Sequence, residues 1–121
     1  MANTLQANFN ITAVSAGLTL AAAPTLSITL AGNNLQGNVQ SIGITSEIIT
    51  LTDVGTSGYV FLKNLDATNF VSIAQTNPAV AAAAGIKLLA GEWCFFPTPL
   101  TALYAIADTG AVDLQIIFCE R

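Results

Sequence analysis

The stretch of residues 58–75, GYVFLKNLDATNFVSIAQ, constrains the fold of this chain more than any other. Residues 59–65 and 70–75 are rich in β-branched and aromatic side chains, which favour strands. The short polar residues 66–69 between them favour a tight turn. The pattern predicts a β-hairpin with three facing pairs, namely Leu65 with Phe70, Leu62 with Ile73, and Phe61 with Ala74.

Both faces of this predicted hairpin are apolar, because Val60, Leu62, Val71 and Ile73 share one face and Tyr59, Phe61, Leu65 and Phe70 share the other. An antiparallel sheet with one solvated face would alternate apolar with polar residues. We therefore expect a second sheet to cover one face and a loop or another subunit to cover the other. The candidate interface residues are Tyr59, Phe61, Leu65, Phe70 and Trp93.

Alternation with a period of two residues continues along the rest of the chain. Half-buried strands are predicted within residues 5–11, 18–20 and 26–30, and two more strands at 39–45 and 48–54. Two further hairpins are predicted, 86–89 with 93–96 and 102–107 with 112–119. The last of these gives the clearest core face, which consists of Leu103, Ala105, Ala107, Val112, Leu114, Ile116 and Phe118.

About ten short strands with frequent turn signals predict an all-β fold, either an antiparallel β-sandwich or a jelly roll. We expect residues 1–121 to form a single domain, with residues 1–16 in part an extended arm. Residues 78–84 follow Asn77 and precede Gly85, signals that suit the start and end of a helix. This segment is predicted to form either one short helix or an alanine-rich loop.

The composition argues against nucleic acid and membrane partners. Hydrophobic residues make up 53% of the chain and charged residues 8%, and the net charge is -4. Three basic residues, Lys63, Lys87 and Arg121, cannot form a phosphate-binding patch. No run of about 20 apolar residues is present, and the N-terminus does not resemble a secretory signal. We expect a protein made in a reducing cytoplasm, with part of its weakly charged surface buried against partners.

No catalytic, cofactor-binding or metal-binding residues are predicted. The chain has no histidine, which excludes mechanisms that need an imidazole. Asp108-Thr109-Gly110 matches the triplet of retrovirus-type aspartic proteases, but too few residues follow it to complete that fold, and the same triplet is an ordinary turn. Asn10-Ile11-Thr12 matches the glycosylation triplet by chance, since no secretory signal precedes it.

The remaining polar and thiol groups have structural interpretations. The seven carboxylates are expected at turns and strand ends as solvated or capping groups, and a calcium site between neighbouring loops is an alternative. Cys94 and Cys119 lie on two of the last predicted strands, and a disulfide between them is the alternative to two buried, reduced thiols. We expect the thiols, because a cytoplasmic domain of this length needs no disulfide to fold.

Residues 58–71 (GYVFLKNLDATNFV), 89–92 (LAGE) and 104–108 (YAIAD) resemble a pattern in small β-rich virion proteins of tailed bacteriophages. The resemblance covers about the last half of the chain. It implies a capsid decoration, or cement, protein on the outer capsid surface, commonly a homotrimer, whose partner is the major capsid protein. It implies no catalytic residues.

Two other classes of function stay open. The first is a tail, neck or receptor- and carbohydrate-binding β-sandwich of the virion, which would need exposed aromatic side chains in a groove. The second is an enzyme, for which the residues give almost no support.

Overall fold

The structure is a computed structural model that describes residues 3–30, 35–50, 58–77, 85–98 and 102–120. Within these ranges it is all-β, as the sequence predicts, with no helix. The strands are β1 (Asn3–Asn8), β2 (Ile11–Ser15), β3 (Leu18–Ala22), β4 (Thr25–Leu30), β5 (Leu35–Ile42), β6 (Glu47–Ile48), β7 (Gly58–Asn64), β8 (Val71–Ala74), β9 (Ile86–Leu88), β10 (Trp93–Thr98), β11 (Tyr104–Ala107) and β12 (Val112–Glu120).

Strands β5 to β12 form two four-stranded antiparallel sheets. The first sheet has the order β10-β7-β12-β5 and the second has the order β6-β11-β8-β9. The first four strands therefore lie beside the last four in reverse order, with β5 next to β12, β6 next to β11, β7 next to β10 and β8 next to β9. This rolled-up arrangement is the topology of a jelly roll.

A single apolar core fills the space between the two sheets. The whole face predicted for residues 102–119 is buried there, and so is the predicted face of Val60, Leu62, Val71 and Ile73. The other face of β7, which carries Tyr59 and Phe61, lies on the outside of the first sheet. The assignment of residues to core faces from the period-two pattern is thus confirmed for these strands.

The three predicted hairpins are wrong as strand pairings. β7 belongs to the first sheet and β8 to the second, and the same separation divides β9 from β10 and β11 from β12. Leu62 pairs with Cys94 and Ile116 instead of Ile73. Each predicted turn is therefore a crossover that carries the chain from one sheet to the other.

The crossover after β7 is held by a fully buried asparagine. The Asn64 side-chain amide donates hydrogen bonds to the carbonyl oxygens of Asn69 (2.9 Å) and Leu88 (3.0 Å). Its side-chain oxygen accepts one from the Asp66 N–H at 2.8 Å. Because Leu88 lies in the second sheet, Asn64 joins the two sheets at this corner, and a buried amide with all these bonds made is stable there.

Pro97 lies within a strand, whereas the sequence predicts that the strand ends before it. The sequence predicts a strand that ends at Phe96, since proline donates no hydrogen bond to a neighbouring strand. β10 continues through Pro97 to Thr98. This is possible because β10 is at the edge of its sheet and needs to pair on one side only.

Residues 3–30 form a long two-stranded hairpin, which we call the arm. β1 pairs with β4 and β2 with β3 in one continuous register, and the Phe9 N–H donates to the Pro24 carbonyl between the two ladders. At about 3.4 Å per residue the arm is roughly 40 Å long. The sequence predicted three strands here, whereas the structure has four.

A two-residue turn at Ala16 and Gly17 closes the arm. Their φ angles are 49° and 81°. Two successive positive φ angles define the type I′ turn, whose twist matches that of a two-stranded ribbon. The segment 78–84, predicted as a helix or a loop, and residues 51–54 of a predicted strand lie outside the described residues.

Candidate interaction site

The arm has one apolar and one polar face along most of its length. Because paired residues of an antiparallel ribbon point to the same side, the register defines both faces. The apolar face carries Leu5, Ala7, Phe9, Ile11, Ala13, Leu18, Leu20, Ala22, Pro24, Leu26 and Ile28. The opposite face is mainly Thr, Ser, Asn and Gln, with Val14 as its one large apolar residue.

The proximal half of the arm, β1 and β4, has its apolar face half-buried. Along β1 and β4 the side chains alternate between exposed and partly buried, and the partly buried ones are those of the apolar face. Phe9 stacks on Trp93 with 5.4 Å between ring centroids and lies 5.6 Å from the Phe95 ring. The proximal arm therefore covers part of the outer face of the first sheet.

The covered sheet face is an aromatic cluster. Tyr59 stacks on Phe95 at 5.8 Å, and Phe61 lies at the same distance from Trp93. Offset and tilted rings at such distances attract one another beyond the effect of burial alone. The expectation that this face would be covered is met in part by the chain's own N-terminal residues.

A half-open groove of ≈ 380 Å³ remains between the proximal arm and this sheet face, which we call the aromatic groove. Its walls are mostly apolar and come from both sides: Leu5, Gln6, Ala7, Asn8, Phe9, Tyr59, Phe61, Phe95, Ile117 and Cys119. The arm thus lies over the sheet without filling the space beneath it.

The distal half of the arm, β2 and β3, is exposed at every residue. On its apolar face Ile11 is 57% exposed, and Leu18 and Leu20 are each 62% exposed. The prediction that residues 18–20 are half-buried is therefore wrong. The alternation is real, but both faces of these two strands are exposed in the structure.

The five predicted interface residues do not form one surface. Tyr59, Phe61 and Trp93 belong to the aromatic cluster, and Trp93 is 48% exposed. Leu65 is in the crossover after β7 and is exposed. Phe70 lies just before β8, with the Lys87 ammonium 4.0 Å from its ring centroid. The structure brings together three of the five, and the interface role of all five stays a prediction.

Three of the carboxylates cap backbone N–H groups, in agreement with their predicted structural role. Asp66 accepts from the N–H groups of Asn69 (2.6 Å) and Thr68 (2.8 Å), and these bonds lower the pKa of its carboxyl group. Glu47 accepts from Gly43 at 3.0 Å, and Glu92 accepts from Leu89 at 2.8 Å.

The Asp108-Thr109-Gly110 triplet occupies the crossover from β11 to β12 and contacts the crossover after β7. The Asp108 N–H donates to the Phe70 carbonyl at 3.1 Å, and the Thr109 hydroxyl donates to the Asn69 side-chain oxygen at 3.0 Å. The triplet thus has the turn role that its chemistry favours.

The two thiols are free and lie on opposite faces of the first sheet. Cys94 pairs across the sheet with Leu62 and faces the core, whereas Cys119 pairs with Tyr59 and lines the aromatic groove. Burial raises the pKa of Cys94 to about 11 and also raises the pKa of Cys119. Their side chains point away from each other, so the native geometry does not suit a disulfide between them.

The described residues contain no group of three or more cysteine, aspartate or glutamate side chains that could hold a metal ion. Within the same residues no helix has the length and apolar character needed to span a bilayer.

Sequence reasoning missed the arm turn and the exposed tip, although a signal was present. Apolar residues fall on odd numbers from Leu5 to Ala13 and on even numbers from Leu18 to Leu30. Such a change of parity is what a two-residue turn produces in one continuous hairpin.

The chain matches no protein-family model, no curated protein and no solved structure.

Proposed function

We propose that this chain is a structural protein of a bacteriophage virion that binds the outside of the capsid shell and stabilises it by bridging neighbouring capsid subunits. The observation that carries the proposal is the distal arm. Ile11, Leu18 and Leu20 form an apolar face that the chain itself leaves exposed. Apolar surface held away from a protein's own core is typical of a segment buried in an assembly.

The assignment to a phage head depends on the resemblance of residues 58–71, 89–92 and 104–108 to small virion proteins. The jelly roll agrees with it, because viral capsid domains are among the proteins that use this fold. A fold hosts many functions, so this agreement is an analogy. The exposed arm is what favours assembly over the other uses of the fold.

The charge distribution suits an outer position on the particle. The net charge of -4 opposes binding to the packaged genome, which is itself negatively charged. The first charged residue is Glu47, so the whole arm is uncharged. An uncharged contact surface loses little hydration energy when it is buried against a shell.

We further propose a homo-oligomer as the form that binds the shell, a trimer by the resemblance. Several weak contacts made by one oligomer add in free energy, so that the oligomer binds far more tightly than a single chain. No specialised chemistry is needed for such binding.

The proposal includes the absence of catalytic activity. Its sharpest check is peptidase activity across acidic pH, since Asp108-Thr109-Gly110 matches a protease triplet. We expect the wild-type chain and Asp108→Asn to be equally inactive. An acid-optimum cleavage activity that the substitution abolishes would contradict the proposal.

The direct test of function is to assemble particles with and without this chain and to compare their resistance to heat and to chelator. We expect shells that carry the protein to withstand harsher treatment. Equal resistance of the two preparations, with no protein bound to the shell, would overturn the cement role.

A receptor- or carbohydrate-binding role is the second candidate, and the aromatic groove favours it together with the half-exposed Trp93, which stacks on the groove residue Phe9. Sugars stack on exposed aromatic rings in such grooves. Binding to a panel of bacterial surface glycans, measured by calorimetry and lost in Trp93→Ala, would favour this candidate over the first.

A further inference from the structure

We propose that the distal arm of one copy binds the aromatic groove of a second copy of this chain, with Ile11, Leu18 and Leu20 against the open side of the groove. The inference deepens the proposed structural role and rests on it, because it names the partner of the arm. The shell contact would then be made by other parts of the oligomer.

The arm itself indicates what its distal half binds. The apolar face that covers the outer sheet through Leu5, Ala7 and Phe9 continues without a change of register into Ile11, Leu20 and Leu18. One face of one ribbon therefore packs on an aromatic sheet surface over half its length and is exposed over the other half. The same kind of surface, supplied by another copy, matches the uncovered half.

The groove supplies that surface. It leaves ≈ 380 Å³ beneath the proximal arm, and Phe61, Phe95 and Ile117 are among its apolar walls. Ile117 is partly exposed within it. Branched aliphatic side chains entering an unfilled apolar groove gain contacts that neither surface makes in the isolated chain.

Charge permits a second copy as the occupant, provided that the contact is made through uncharged surfaces. Two copies that each carry a net charge of -4 repel one another, and the uncharged arm is the segment that can approach a like-charged neighbour with the least repulsion. The groove walls contain no charged side chain either. The contact thus joins two neutral apolar surfaces.

The size of the contact predicts its strength. The distal half of the arm is roughly 15 to 20 Å long and about 10 Å wide, so one contact buries a few hundred Å², less than the roughly 1,000 Å² typical of stable interfaces. A single contact is weak. A closed oligomer, in which every subunit both gives an arm and receives one, doubles the contacts per subunit.

The first experiment compares two neighbouring positions of β3 that point to opposite faces. Leu20→Asp places a charge on the apolar face, and Thr19→Asp places the same charge on the polar face as the matched control. We measure mass by light scattering over micromolar to millimolar concentrations. We expect wild type and Thr19→Asp to form the same oligomer and Leu20→Asp to remain a monomer of 12.5 kDa.

The second experiment tests the groove in the same way. Ile117→Asp adds a charge to a groove wall, whereas Val39→Asp adds one to the outer face of the same sheet on β5, outside the groove. We expect Ile117→Asp alone to abolish the oligomer. Circular dichroism of each variant confirms that it is folded, and a variant that does not fold is replaced by the milder Ile117→Ser.

A photocrosslinking residue at position 18 identifies the contact directly. Mixing isotopically labelled and unlabelled chains separates links between copies from links within one copy. We expect mixed-label links from position 18 to peptides that line the groove, such as 58–64 or 112–120. Links that arise only within one chain, or only to peptides outside the groove, would overturn the proposal.

The remaining outcomes separate this inference from the proposed function. A wild-type chain that stays monomeric at all concentrations yet still strengthens shells would refute the arm contact and leave the cement role standing. An oligomer that depends on Leu20 and Ile117 but never binds shells would support the arm contact and refute the cement role. An oligomer unaffected by Leu20→Asp and Ile117→Asp would refute the arm contact.

Discussion

The jelly roll and the arm are made of the same kind of strand, apolar on one face, but they differ in what covers that face. In the jelly roll the core faces of β7, β8, β11 and β12 are buried against the opposite sheet. In the arm, the proximal half lies on the aromatic cluster, whereas the distal half, with Leu18 and Leu20, is exposed. The difference shows that the described strands carry more apolar surface than one copy of the chain buries.

The jelly roll and the arm should differ most in how much stability is lost when a large apolar side chain is shortened. We expect Phe118→Ala, in the fully buried core, to lower the free energy of unfolding by about 3 to 5 kcal/mol. Leu20→Ala at the arm tip should change it by less than about 0.5 kcal/mol in the monomer. Urea denaturation of both variants at dilute concentration checks this, and a large effect of Leu20→Ala would show that the arm folds as part of the core.

Replacement of Asn64 is expected to give the next largest loss in the free energy of unfolding. Asn64→Ala leaves the Leu88 and Asn69 carbonyls without their buried donor, and we expect a loss of about 2 to 3 kcal/mol in the free energy of unfolding. Asn10→Ala, an exposed asparagine of the arm, is the control and should be neutral. Equal effects of the two substitutions in urea denaturation would contradict the role of Asn64 in joining the sheets.

The rate at which Cys94 is alkylated shows whether its thiol is buried in the native protein. Because burial raises the pKa of Cys94 to about 11, we expect its alkylation in the native protein to be slow below pH 9 and to accelerate towards pH 11. The unfolded chain loses this proton near pH 9.0, the ordinary pKa of a cysteine thiol, whereas the folded chain keeps it up to a pKa of about 11. The contribution of the Cys94 thiol to the free energy of unfolding is therefore fully present below pH 9 and is lost as the pH rises through about 11.

Mass spectrometry of native protein treated with iodoacetamide across this range checks the thiol prediction. We expect both cysteines to be reduced at every pH, so that a cysteine left unmodified in the native protein becomes reactive on denaturation without any reductant. Cysteines that react only after denaturation and reduction would show that they are oxidised in the native protein.

The smallest expected effect concerns the arm turn. Ala16 has a φ of 49°, which is unfavourable for alanine and favourable for asparagine. We expect Ala16→Asn to stabilise the arm by about 0.5 to 1 kcal/mol and Gly17→Ala to destabilise it by about 1 kcal/mol. Hydrogen exchange of the β2 and β3 amides measures this, with the core amides as the internal control. Unchanged exchange in both variants would contradict the turn geometry.

The sequence predicts the strands and their core faces well, because alternation reflects burial at each residue separately. Val60, Leu62, Leu114 and Ile116 are recognisable as core residues from their spacing alone. The all-β class follows from the same local pattern together with the turn residues.

The strand pairings could not be predicted in the same way. The polar residues 66–69 suit a hairpin turn and a crossover equally, and their hydrogen bonds to Asp66 would form in either. The choice is made by long-range contacts such as that from Asn64 to Leu88. A local sequence pattern does not indicate a contact between residues so distant in the chain.

The candidate site was predicted in part. Tyr59, Phe61 and Trp93 were expected at an interface from their apolar character, and they lie together on the outer sheet. The exposure of Leu18 and Leu20 was missed, because alternation shows that one face is apolar but not whether the molecule supplies anything to cover it.

Imaging particles by electron cryo-microscopy, assembled with and without this chain, tests the central claim most directly. We expect the added density on the outer surface of the shell, at positions set by the capsid symmetry, with the jelly roll bridging neighbouring capsid subunits and each arm in contact with an adjacent copy. Density confined to the tail or neck, or two reconstructions of the shell without a difference, would contradict the account.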